Sequence, residues 1–209
     1  MTNRRLLRAT AVSLAILATT GVAHPSRADD DAAMQFVAAA FDAQSKATRQ
    51  GSELQFRRGT AQSTHVFEQV LPDRLHGVIT SSGGHRVEFY SIRDRQYTLK
   101  NGRWKRYPSM GKPQPRFDLA AFFADRISGL AEVPAPARRG PPRKERTFRG
   151  LIAWYGEAGE NKGRIDIAID KRTTLPVAVS FDGLCGGVPC SFVQRFRYDS
   201  SITIQAPVQ

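Results

Sequence analysis

Nowhere does this 209-residue chain hold an apolar run long enough to cross a bilayer. The stretch from Ala9 to Ala23 lacks charge but runs for only about 15 residues, whereas a membrane span takes roughly 20 at about 1.5 Å each. Cysteine is almost missing, since Cys185 and Cys190 are all there is. With none directly behind the early apolar run, there is nothing to lipidate as in a bacterial lipoprotein. Histidine numbers 4, and His65, His76 and His85 have no second His, Cys, Asp or Glu at a spacing typical of zinc sites. They read as surface or turn residues, and no metal is expected.

Enzyme signatures are equally scarce. No Gly-X-Ser-X-Gly elbow and no phosphate-cradling glycine loop occurs. Ser109-Met110-Gly111-Lys112 has the Ser-X-X-Lys spacing of penicillin-recognising acyl enzymes, which requires the serine to begin a helix. Pro108, Gly111, Pro113 and Pro115 forbid that helix, and no Lys-Thr-Gly follows. Asp166 and Asp170 share the polar face of a strand-like segment, without the burial and pocket that a catalytic carboxylate pair needs. No enzyme class and no cofactor is supported.

What the chain does have begins with Arg4, Arg5 and Arg8, followed by the apolar run and the small-residue sequence Ser26-Arg27-Ala28. That order predicts a cleavable signal over residues 1–28, with cleavage after Ala23 also compatible with the small residues there. Arg4-Arg5 leaves a twin-arginine route open beside the general secretory one. The expected product is one soluble, non-lipidated periplasmic domain over residues 29–209.

Acidic residues are in deficit, 19 against 31 Lys and Arg. Loss of Arg4, Arg5, Arg8 and Arg27, with no acid among them, lowers the formal net charge from +12 to +8. Outside the cytoplasm such a surface meets anionic membranes and acidic polymers rather than nucleic acid, or serves solubility alone.

Residues 29–50 carry Met34, Phe36, Val37, Ala40, Phe41 and Ala47 at helical intervals behind Asp29, Asp30 and Asp31, which predicts a first helix. After Gly51 the period falls to 2 at Leu54 and Phe56. Strands are then predicted over residues 63–71, 75–80, 86–92, 95–100 and 103–107, separated by Pro72-Asp73, Gly83-Gly84, Arg93-Asp94 and Asn101-Gly102. A second helix is predicted over residues 117–130 through Leu119, Phe122, Phe123, Ile127 and Leu130. Residues 131–146, rich in proline and arginine, read as an exposed loop, either a contact for headgroups or partners or a solvated linker. Further strands are predicted over residues 147–156, 163–170, 175–182 and 190–198, with a tail at Ile202–Ile204. Ile165, Ile167 and Ile169 alternate cleanly with polar residues, as do Leu175, Val177, Val179 and Phe181. The expected fold is mainly β, a curved antiparallel half-barrel of about 10–11 strands whose concave face is covered by the N-terminal helix and the second helix. Cys185 and Cys190 flank Gly-Gly-Val-Pro and are predicted to close a disulfide across a hairpin.

The order of several short motifs is similar to that of the LolA/LppX-like family. These are Leu71-Pro72-Asp73-Arg74, Tyr97 with Asn101-Gly102-Arg103-Trp104-Lys105-Arg106-Tyr107-Pro108, Ile167-Ala168-Ile169-Asp170-Lys171 with Leu175-Pro176-Val177, and Ile202-Thr203-Ile204-Gln205-Ala206-Pro207. The resemblance implies an open half-barrel over an apolar cavity that carries a lipid, a lipoprotein acyl group or a similar ligand without chemistry. The loop at residues 131–146 and the cysteine pair depart from the lipoprotein carrier.

Strand parity assigns Leu54, Phe56, Val87, Phe89, Tyr97, Leu99, Trp104, Ile165, Ile167, Ile169, Val177, Val179, Phe192 and Phe196 to the concave face, with Phe122, Phe123 and Ile127 as a lid. The expected partners are lipid or acylated protein cargo, with an anionic membrane surface or an envelope protein as the rival for the basic surface. A monomer is expected.

Overall fold

Period-2 alternation dominates the chain, and the computed structural model, which describes residues 27–108, 126–134, 144–156 and 159–207, folds it into one antiparallel sheet. Helix α1 (Arg27–Ser45) leads into β1 (Arg49–Arg58), β2 (Ala61–Val70), β3 (Arg74–Ser81), β4 (Arg86–Ile92), β5 (Arg95–Lys100) and β6 (Arg103–Pro108). β7 (Ile127–Glu132), β8 (Glu145–Gly156), β9 (Gly159–Asp170), β10 (Pro176–Cys185) and β11 (Val188–Arg197) follow. The order across the sheet is β6-β5-β4-β3-β2-β1-β11-β10-β9-β8-β7. The first and last strands of the chain therefore pair at the centre, and β6 and β7 are left as edges of a half-barrel that does not close. Edge strand β6 carries Arg103, Lys105 and Arg106, charges that discourage edge-to-edge pairing with another chain.

Turn chemistry sets the registers. Asn101 and Gly102 both have positive φ, as do Gly186 and Gly187, the backbone that a two-residue hairpin requires. The second of these turns is tighter than the four-residue turn expected from sequence. β10 and β11 run on to Cys185 and Val188, so Cys185 faces Val188 and Cys190 faces Gly183. The cysteines are thus diagonal neighbours, not opposite ones, and their Cα atoms lie 5.8 Å apart in the predicted disulfide.

On α1, Ala33, Val37, Ala40 and Phe41 form a buried stripe packed against β7, β9 and β10. Opposite it lie Leu130, Phe148, Ile152, Ile165, Ile167, Ile169, Val179 and Phe181. Arg146 closes one end of this interface: its guanidinium sits 4.1 Å from the Phe36 ring centroid and pairs with Glu132 at 2.8 Å. The Arg146 hydrogen bond holds the Glu132 carboxyl below its usual range.

Two predicted helical stretches change identity. Ala47 and Gln50 lie beyond α1, because Arg49 and Gln50 pair with Val70 and Gln69 as the start of β1. Ile127 and Leu130 belong to β7, where Ile127 pairs with Ile152. Residues 109–125, which hold the rest of the predicted second helix and the Ser-X-X-Lys spacing, lie outside the described residues, as do residues 1–26. The proline- and arginine-rich connection is shorter than expected, since β7 reaches Glu132 and β8 begins at Glu145. The tail at Ile202–Ile204 is not a strand. It lies against the sheet face away from α1, held by Arg49 to the carbonyls of Ser200 and Ile202 and by Arg74 to that of Ile204.

Candidate functional site

Directly paired residues share a face, so register fixes what looks toward α1. On this inner face the even positions of β1 (Gln50, Ser52, Leu54, Phe56) lie beside Gln69, Phe67, His65 and Ser63 of β2. On the other side they lie beside Phe196, Gln194 and Phe192 of β11. α1 covers only the β7–β10 part. Next to it, over β1–β3 and β8–β11, opens a cavity of about 390 Å³. That volume is in the range of small-molecule sites.

Its walls are aromatic and aliphatic. Trp154 meets Phe181 edge-on at 5.2 Å between centroids, and Phe181 stacks on Phe192 at 5.5 Å. Leu54, Phe56, Phe67, Leu75, Ile152, Ile165, Val179 and Phe196 complete the apolar part. Gln44, Gln50, Gln69, Gln194 and Ser52 are the polar part, and among the described residues no Asp, Glu, Lys, Arg or His lines the cavity. Glycines give the rings room: Gly163 and Gly183 face each other beneath Phe181, and Gly77 lies between Phe67 and Phe89.

Of the residues assigned to the concave face, Leu54, Phe56, Ile165, Val179, Phe192 and Phe196 line this cavity. Ile167 and Ile169 share the face but are wholly buried in the helix–sheet core. Val87 and Phe89 share it too, farther out; Phe89 packs on Phe67 and Val87 is 46% exposed. Val177 is displaced. A bulge between Pro176 and Ala178 places Pro176, not Val177, opposite Ile169.

Tyr97, Leu99 and Trp104 are on the opposite face. Phe89 pairs with Thr98 and Ser91 with Gln96, so Tyr97 falls beside Tyr90 and Trp104 beside Leu99 on the side away from α1. There they belong to a second aromatic group in which Tyr90 meets Trp104 edge-on at 5.2 Å and stacks on His76 at 4.3 Å. Sequence parity failed here because this end of the sheet is apolar on both sides. Ile127 faces inward, but from β7 and not from a lid helix, and Phe122 and Phe123 lie outside the described residues.

Phe67, Leu75, Ile152, Trp154 and Phe181 were not assigned to the site from sequence. Parity carried from Leu54 across β2 and β3 would have found the first two. The glutamines carry no sequence signal, since Gln44 merely continues the spacing of the α1 stripe.

The histidines are less exposed than expected, apart from His85 in a turn. His65 lies on the inner face, 2.9 Å from the Ser63 hydroxyl, and burial lowers its pKa. His76 sits on the outer face between Glu88 at 3.1 Å and Glu68 at 3.5 Å. Burial pushes the Glu88 carboxyl up, but hydrogen bonds from Arg86 and His76 outweigh it and the net shift is downward. Among the described residues no three His, Cys, Asp or Glu side chains gather as a metal site. Asp166 is held by Arg149 at 2.6 Å on the outer face, apart from the cavity. Among the described residues no helix is long and apolar enough to cross a membrane.

No sequence-family profile matches the chain, and no curated protein matches it in sequence. Solved structures do. The Mycobacterium tuberculosis lipoprotein LppX superposes with a TM-score of 0.60 at 12% identity, over 84% of this chain and 100% of that one. LprF from Mycobacterium bovis superposes with a TM-score of 0.56 at 12% identity, over 87% and 99%. With both superpositions spanning nearly the whole of the neighbour, the architecture expected from the motif order holds: the chain has a LolA/LppX-like fold.

Proposed function

We propose that the protein is a soluble periplasmic carrier, exported by a cleaved signal over residues 1–28, that holds a lipid, a lipoprotein acyl group or a similar apolar ligand without chemistry. The observation that carries this reading is the cavity beside α1, where the described residues supply six aromatic side chains and no charged one. An enclosed oxidised hairpin fits a compartment outside the cytoplasm. Burying one acyl CH₂ contributes about 0.8 kcal/mol, so ten contribute about 8 kcal/mol, against an association cost of roughly 4–15 kcal/mol. A single chain would bind exchangeably, as a carrier requires.

Mass spectrometry of an organic extract of the purified protein tests the reading. Lipid in near-stoichiometric amount is the expected outcome. Its absence, even after incubation with bacterial membranes, would favour the rival in which the basic surface docks on an envelope protein.

A further inference from the structure

The polar end of the cavity differs from its aromatic walls in a way that bears on what enters. Gln44 ends the buried stripe of α1 at a position where Ala33, Val37, Ala40 and Phe41 are apolar, and it is only 6% exposed. Its Oε1 is shut off from solvent and has no hydrogen-bond partner among the described residues. Gln50, at the start of β1, donates from Nε2 to Gln69 Oε1 at 2.9 Å, which leaves its own Oε1 equally enclosed and without a partner. All three side chains line the cavity. A buried amide oxygen without a donor is costly, and buried polar groups that lack a protein partner point to one supplied from outside.

What is left open is acceptor capacity, with no cation beside it among the described residues that line the cavity. The chain carries a formal +12, yet among the described residues none of that charge lines the cavity. His65, beside Leu54 on the same face, is pushed toward its neutral form by burial. A carboxylate or phosphate brought here would lose its hydration and meet carbonyl oxygens instead of a counter-charge. A hydroxyl or an N–H would supply the donor that the Gln44 and Gln50 oxygens lack.

We propose that the cargo's polar end is an uncharged hydrogen-bond donor, a hydroxyl or amide N–H, seated on Gln44, Gln50 and Gln69 with its acyl chain along the aromatic walls. The inference rests on the carrier reading above and narrows its ligand to neutral, donor-bearing lipids such as acylglycerols or N-acyl amides, in place of free fatty acids or phospholipid anions.

The test compares three probes of one chain length by titration calorimetry on the purified protein: 1-monodecanoylglycerol, methyl decanoate and decanoate. The first offers donors, the second is neutral without them, and the third is anionic. Monodecanoylglycerol is expected to bind at least about tenfold tighter than either of the others. The double variant Gln44→Leu/Gln50→Leu is expected to erase its advantage over methyl decanoate while methyl decanoate binds as before. Should the double variant fail to fold, Gln50→Met alone is expected to reduce the advantage. Equal or tighter binding of decanoate, or an unchanged ranking in a folded variant, overturns the headgroup assignment alone. No binding of any probe overturns the carrier reading as well.

Discussion

At Gly77 a side chain is missing where two rings need the room. Its strand partners are Phe67 and Phe89, whose rings meet edge-on at 6.4 Å, and a Cβ on Gly77 would run into the Phe89 ring. Gly77→Val is therefore expected to cost about 1–3 kcal/mol in chemical denaturation by forcing those rings aside. Gly83→Ala, with open space at its Cβ, should leave the midpoint unchanged. His65 gives a pH dependence. Burial holds its imidazole below the usual 6.5, so the unfolded chain takes up a proton first as pH falls. Its contribution is complete above pH 6.5 and is lost below it. Melting temperature should fall as pH drops below about 6.5, and His65→Phe should flatten that slope. Neither residue was legible as part of the inner face. An isolated glycine or histidine carries no hydrophobic period, and only the pairing of β2 with β3 puts them there.

The β10–β11 hairpin closes the disulfide expected from sequence, although Gly186-Gly187 makes the turn tighter than expected and so sets the cysteines diagonally. Closing so short a loop is worth about 2 kcal/mol. The double variant Cys185→Ser/Cys190→Ser should lose about that amount, and thiol reagent should modify neither cysteine of the native protein without reductant. Labelling of both would remove the bond. α1 was equally legible from its stripe, but its end was not, since Gln50 fits a helical period as well as it fits β1. β7 was misread for a related reason: Ile127 and Leu130 sit three apart, helical spacing, whereas the positive φ of Gly129 lies within a register shift of β7 against β8 that lets both be buried. The bulge at Pro176–Ala178 displaced Val177 in the same way.

On the scale of the whole molecule, one long sheet has an inner face that α1 covers only in part, and the cavity is what remains beside it. The clean alternation of β9 announced that face, as did the apolar even positions of β1. The far end of the sheet could not be read, because Tyr90, Tyr97 and Trp104 make its outer face apolar too. That difference provides the most direct test of the account. The chain has 2 tryptophans, Trp154 in the cavity wall and Trp104 on the opposite face. A chain-brominated monoacylglycerol quenches tryptophan emission on contact and can be titrated into Trp104→Phe and Trp154→Phe proteins separately. The account predicts saturable quenching of Trp154 in the first variant and none of Trp104 in the second. Quenching of Trp104 alone, or no quenching of Trp154 at saturating ligand, would contradict it.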